Sequence, residues 1–170
     1  MATQPTHSDS IHTSALDEHR YQFEMTPRGP FSLTGTKEYF GTWTTLGPDQ
    51  AAVALAFPVE GWRTSATVIV RQDNDMRIRG EIYGVAEEVE QAWQQALAVF
   101  SLDCDGSAWP QVGQRDPLIG TLQSTSHFLR PVLFHSPYEA AASFIIGHRI
   151  SMQQGRKLRQ ALAEAIGEQI

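Results

Sequence analysis

Thr64-Ser65-Ala66-Thr67-Val68-Ile69-Val70-Arg71, then Gln72-Asp73-Asn74-Asp75, then Met76-Arg77-Ile78-Arg79-Gly80-Glu81-Ile82-Tyr83 is the stretch that decides the fold. In its last part Met76, Ile78, Gly80 and Ile82 alternate with Arg77, Arg79, Glu81 and Tyr83. Successive side chains of a strand leave on opposite faces, so this period of two sorts apolar residues to one side and polar residues to the other. The polar cluster between the runs has the composition of a hairpin turn. Together they predict an antiparallel sheet with one face on a core and one in water.

The pattern extends in both directions. Upstream, Phe23 and Met25 alternate with Gln22 and Glu24, Pro27 to Pro30 turns the chain, and Phe31-Ser32-Leu33 reads as a short strand. Ala52 to Val59 is a further strand, and Pro58 suits its end or a sheet edge because proline offers no N–H to a ladder. Downstream, Val85, Val89, Trp93, Ala96, Leu97 and Phe100 recur at spacings of three and four between glutamates and glutamines. That is a helix with one face for the sheet and one for solvent, and its acidic start suits the positive end of the helix dipole. Ser101 to Gly106 stops it.

The remainder of the chain is helical. Asp116-Pro117 caps and opens a short helix. Ser136, Pro137 and Glu139 have the spacing of a capping box. The helix they open is rich in small and apolar residues (Ala140, Ala141, Ala142, Phe144, Ile145, Ile146), which predicts burial on most sides. Gly147 is expected to end it in a left-handed conformation. Ser151 then caps a final amphipathic helix carrying Leu158, Leu162 and Ile166, closed by Gly167. Trp62, Trp93 and Trp109 are expected in the core.

The chain has 170 residues, 41% hydrophobic and 19% charged, with one cysteine, Cys104. This is ordinary globular material without an internal disulfide, fitting a reducing compartment. Residues 1 to about 20 are polar and read as a tail, with no secretory pattern and no apolar run long enough to span a bilayer. From Phe128 onward five Arg and Lys stand against three Glu, a net +2, which leaves −8 on the first 127 residues of a chain whose total is −6. A local basic patch on an acidic protein can still meet phosphate; the same residues also suit the solvated face of an ordinary helix.

Three segments, in order, carry a family resemblance. They are the sheet followed by one long helix, then Leu102-Asp103 leading to Asp116-Pro117-Leu118-Ile119-Gly120, then Leu129-Arg130-Pro131, Ser136-Pro137-Tyr138-Glu139-Ala140 and Ile145-Ile146-Gly147-His148-Arg149-Ile150-Ser151. The chain resembles the N-terminal half of a DNA-3-methyladenine glycosylase II of the AlkA type, in the helix-hairpin-helix glycosylase superfamily. The resemblance implies an α+β fold. A TATA-binding-protein-like antiparallel sheet with a packed helix would occupy residues 21–106, and the first helices of an all-α glycosylase domain residues 107–170. It implies base-excision repair: hydrolysis of the N-glycosidic bond of bases such as 3-methyladenine, with no metal or cofactor. The implied partner is double-stranded DNA with alkylated bases, the implied location cytoplasmic and nucleoid-associated, with no membrane contact.

In the family the turn between the last two helices enters the minor groove and fills the gap left by the flipped nucleotide. The matching positions are His148, Arg149, Ile150 and Ser151. The family has glutamine and an apolar wedge where His148 and Arg149 stand, and an arginine enters a minor groove as a charge responding to its width and potential. Tyr39 or Phe40 corresponds to an aromatic of the family's base pocket, suited to an electron-poor alkylated ring. The family's phosphate-binding Gly-x-Gly hairpin and the aspartate beyond it have no counterpart: the chain has no Gly-x-Gly, and its last aspartate is Asp116. No catalytic residue is therefore assigned. The chain is expected to be a truncated or N-terminal portion, inactive alone, whose C-terminal half would be its partner. The alternatives are a non-enzymatic DNA- or protein-binding α+β module and an unrelated α+β hydrolase using His135 or His148 with Glu139.

Overall fold

The structure is a computed structural model that describes residues 19–40, 52–126 and 130–167, with only the backbone of residues 37–40. Leu129 and the tail residues 1–18 lie outside the described residues. Four strands, β1 (Arg20–Met25), β2 (Ala52–Pro58), β3 (Ser65–Gln72) and β4 (Ile78–Tyr83), form an antiparallel sheet in the order β1-β4-β3-β2. The register puts Phe23 and Val70 on either side of Gly80, and Val53 beyond Val70. The expected alternation therefore holds: Ile78, Gly80 and Ile82 are buried, whereas Arg79 and Tyr83 are exposed. Met76 does not join it. It sits at φ 66° in the hairpin turn, half exposed, because its N–H closes the turn on Asp73 O at 3.0 Å. Pro58 ends β2, an edge strand, as its missing N–H requires.

Helix α2 (Val89–Val99), after a short 3₁₀ turn at Ala86–Glu88, covers the apolar face with Val89, Ala92, Trp93, Ala96 and Leu97. Val85 falls outside this face and stays exposed. Trp93 is 1% exposed and stacks on Phe23 with centroids 5.7 Å apart. Its ring occupies the space above Gly80, where a Cβ would overlap Trp93 Cζ3 and Cε3. Each fully buried side chain of this size contributes roughly 1.5–3 kcal/mol by leaving water. Trp62, 55% exposed, and Trp109, 37% exposed, are not core.

Phe31 to Leu33 is not a strand. Leu33 opens helix α1 (Leu33–Phe40), capped by Ser32, whose Oγ accepts from Gly35 N at 3.2 Å. The side chain of Gln72 holds both sides of this start, accepting from Leu33 N at 2.8 Å and donating to Phe31 O at 3.1 Å.

Beyond α2 come α3 (Trp109–Arg115), α4 (Pro117–Thr125), α5 (Pro137–Ile146) and α6 (Met152–Ile166). Asp116 caps α4 by accepting from Leu118 N and Ile119 N. Ser136 caps α5 through Glu139 N at 3.1 Å. The other half of that box is displaced by one residue: the Glu139 carboxylate accepts from His135 N at 2.9 Å. Contrary to the composition, α5 buries no residue, and Phe144 and Ile145 are 74% and 77% exposed. Phe144 meets the Phe134 ring edge-on at 6.1 Å, but Phe134 is itself exposed, so the contact builds no core.

Residues 130–136 tie the helices to the sheet layer. The Arg130 side chain donates from Nη1 to Ser101 O (3.0 Å) and Cys104 O (3.1 Å), from Nη2 to Arg28 O (2.7 Å) and from Nε to Pro30 O (3.3 Å). Leu133 N reaches Val99 O at 2.9 Å, and Ser101 Oγ reaches Pro131 O at 2.7 Å.

Candidate nucleic-acid interface

The α5–α6 turn is built by two caps and one left-handed residue. Gly147 N closes on Ser143 O at 2.9 Å and His148 N on Ile145 O at 3.3 Å. Gly147 itself keeps right-handed backbone (φ −79°, ψ −3°); the left-handed position is Arg149, at φ 58°. The expected glycine cap is thus moved two residues on, onto a side chain with a Cβ. For an L-residue that conformation costs roughly 1–2 kcal/mol. Ser151 then starts α6 with a reciprocal box: Gln154 N donates to Ser151 Oγ at 3.2 Å, and Ser151 N donates to Gln154 Oε1 at 3.0 Å.

Of the four turn residues, His148, Arg149 and Ser151 are exposed and Ile150 is half-buried. Ile150 Cδ1 lies beside Gly155 on the first turn of α6, so Ile150 anchors the turn while its neighbours face solvent. The structure therefore brings together an imidazole, a guanidinium and a hydroxyl on one exposed tip, with Arg156 and Lys157 exposed on the helix behind it. Tyr39 and Phe40 end α1, and their side chains lie outside the described residues.

His135 and Glu139 form a close pair, Nδ1 to Oε2 at 2.6 Å, and the imidazole stacks on Phe57 at 5.5 Å. With its carboxylate also holding His135 N, Glu139 is occupied in fixing the start of α5 rather than in activating a nucleophile. Among the described residues no cluster of His, Cys, Asp and Glu could hold a metal ion, and no helix is long and apolar enough to cross a membrane.

A cleft lies at the opposite end of α5. Pro58, Glu60, Trp62, Gln91, Gln94 and His135 are among its walls, and its volume is about 390 Å³. Gly61 and Trp62 take φ 101° and 59° in the β2–β3 turn, closed by Trp62 N to Val59 O at 2.9 Å. Tyr138, on the first turn of α5, meets the Trp62 ring edge-to-face at 5.0 Å. Glycine accepts a left-handed backbone without strain, whereas a bulky tryptophan there is an outlier of the kind found at functional positions. Reading Trp62 as core misses this pair; the Glu60-Gly61-Trp62 sequence between two strands is the available sign of a turn.

No protein-family model matches the sequence, and no curated protein matches it. Among solved structures the chain is similar to a 3-methyladenine DNA glycosylase from Archaeoglobus fulgidus, with a TM-score of 0.64 and 18% identity, over 80% of this chain and 47% of that one. The chain thus spans about half the length of that glycosylase, and over the matched part it has a DNA-glycosylase fold.

Proposed function

We propose that this chain is part of a base-excision DNA repair glycosylase acting on alkylated bases such as 3-methyladenine, of the AlkA type, and that the α5–α6 turn is its contact with duplex DNA. The observation that carries the reading is the turn itself: Arg149 in a left-handed conformation between two capped helices, exposed with His148 and Ser151, in a fold shared with a glycosylase. Arg149 enters the minor groove beside the extruded nucleotide, His148 contacts the flanking backbone, and Ile150 and the Ser151 cap hold the turn rigid. Extruding a base costs a few kcal/mol, which a charge attracted to the narrow groove helps to offset.

The hydrolytic step is carried by polypeptide outside these residues, since no Gly-x-Gly hairpin and no aspartate after Asp116 occurs in them. The apolar faces of α4, α5 and α6, with Leu118, Phe144, Ile145 and Ile166 more than two-thirds exposed, suit burial against that polypeptide. The deciding experiment measures duplex affinity of the 170-residue chain by fluorescence anisotropy across a salt series. Binding should weaken steeply with salt, and Arg149→Ala should lower the slope by about one. Methylpurine release should be absent from this chain and present when a C-terminal half is supplied. Salt-dependent binding without release in either preparation would instead favour a non-enzymatic binding module, and no duplex affinity at low salt would sink both readings.

A further inference from the structure

The cleft at Trp62 lies about 15 Å along α5 from the His148–Ser151 turn, the length of a helix of 10 residues. It is a separate surface, and nothing in the DNA reading uses it. We propose that this cleft binds the guanidinium of an arginine side chain presented by a partner protein.

The hydrogen-bond inventory sets the sign of the ligand. Gln95 commits both amide hydrogens, to Pro58 O at 3.2 Å and His135 O at 3.0 Å, while its Oε1 accepts from Glu60 N at 3.0 Å. Gln91 Nε2 donates to Glu60 Oε2 at 3.0 Å, and Gln94 Nε2 donates to Glu90 Oε1 at 3.0 Å. The Glu60 carboxylate retains acceptor capacity, and the Oε1 atoms of Gln91 and Gln94 accept from no described residue. No cation lies within ion-pair reach of Glu60 among the described residues. The cleft thus carries the Glu60 carboxylate beside the side-chain amides of Gln91 and Gln94, each with an open oxygen and one further N–H, and the carboxylate alone gives it a sign.

The aromatic wall sets the shape. Trp62 lines the cleft together with Glu60 and is 55% exposed, braced edge-to-face by Tyr138 outside the lining, so its indole can receive a planar cation beside that carboxylate. Guanidinium is planar and forked, which suits this combination better than a compact ammonium. Burial does not explain Trp62: the strained turn that displays it leaves more than half of it in water. The acidic start of α2, with Glu87, Glu88 and Glu90, adds attraction for a cation and repels a free amino acid's own carboxylate. That favours an arginine within a peptide chain.

The test is a ¹⁵N NMR titration of the full chain with the peptide acetyl-Gly-Arg-Gly-amide. The Trp62 indole N–H and the Gln91 and Gln94 side-chain amides should shift and saturate in the millimolar range. The citrulline peptide should leave them unmoved, and free arginine should bind several-fold more weakly. Glu60→Gln should weaken binding at least tenfold, and Trp62→Gly, which suits the left-handed backbone, should abolish it without lowering the melting temperature. Equal shifts with citrulline, equal or tighter binding by the lysine peptide or free arginine, unchanged affinity in Glu60→Gln, or shifts confined to Glu87, Glu88 and Glu90 would each overturn the proposal.

Discussion

Gly80 and Trp93 share one volume: the six-membered ring of Trp93 fills the space in which any side chain at Gly80 would stand. The strand register makes this necessary, because Gly80 lies between Phe23 and Val70 on the face that α2 covers. Gly80→Ala is expected to destabilise the protein by about 1–3 kcal/mol through overpacking. Pairing it with Trp93→Phe should recover part of that loss, a coupling visible in urea midpoints of the double-mutant cycle. Strict additivity of the two changes would refute the shared-volume account.

Arg130 gathers four backbone carbonyls from two separate loops and also lies over the Phe31 ring at 5.9 Å. Burial lowers its pKa below the usual arginine value without discharging it at any working pH. Arg130→Met removes the donors and leaves buried acceptors unpaired, an expected loss of about 3 kcal/mol or more. Arg130→Lys should restore little, since an ammonium cannot span the same fork. Thermal melts of both variants decide this, and full rescue by lysine would contradict it.

Tyr83 donates its hydroxyl to Glu81 Oε1 at 2.7 Å, and Glu81 also pairs with Arg20 and Arg71. The hydrogen bond to Glu81, followed by partial burial, raises the Tyr83 pKa above its usual value. A raised folded pKa on a tyrosine favours the neutral form, so its stabilisation is complete below the unfolded value and is lost as pH rises through the folded one. Alkaline titration followed by tyrosinate absorbance should show one tyrosine ionising late, and Tyr83→Phe should remove that component. Its survival in Tyr83→Phe would show that the assignment is wrong.

Arg149 should be replaceable by glycine without loss of stability. At φ 58° a glycine avoids the Cβ strain, and the expected gain is about 0.5–1 kcal/mol. Duplex affinity should fall in the same variant, separating the fold of the turn from its contact. A destabilised Arg149→Gly would mean that the side chain supports the turn.

Ile145→Ser tests the exposed face of α5. A residue 77% exposed should change stability by no more than about 0.5 kcal/mol, whereas a core isoleucine such as Ile82 would cost several times that. Comparison of chemical denaturation curves for Ile145→Ser and Ile82→Ser is sufficient.

The sheet is legible in the sequence because its two faces differ in water, and the period-two alternation at Ile78, Gly80 and Ile82 records that difference directly. Caps are legible for a similar reason: Asp116, Ser136 and Ser151 each satisfy donors within three residues. Helix α1 is not, because its start is fixed by Gln72, forty-one residues from Phe31. Helix α3 hides behind Pro110 and Gly113; it is held by α4, where the buried Gln123 donates to Trp109 O at 2.7 Å. Composition mispredicts the burial of α5 because it reports what a segment can bury and not what stands beside it. At the turn, spacing locates His148 to Ser151, but placing the left-handed residue at Arg149 rather than Gly147 requires the backbone itself.

The uneven cover over α5 and α6 also sets a hierarchy in time. Amides of β3 and β4, inside the sheet and under α2, exchange with solvent only when the whole layer opens. Those of α5 and α6, with open apolar sides, exchange through local opening of far lower free energy. Deuterium should therefore enter the helical hairpin long before the sheet. A ligand that covers the hairpin would register first as a slowing of that early exchange.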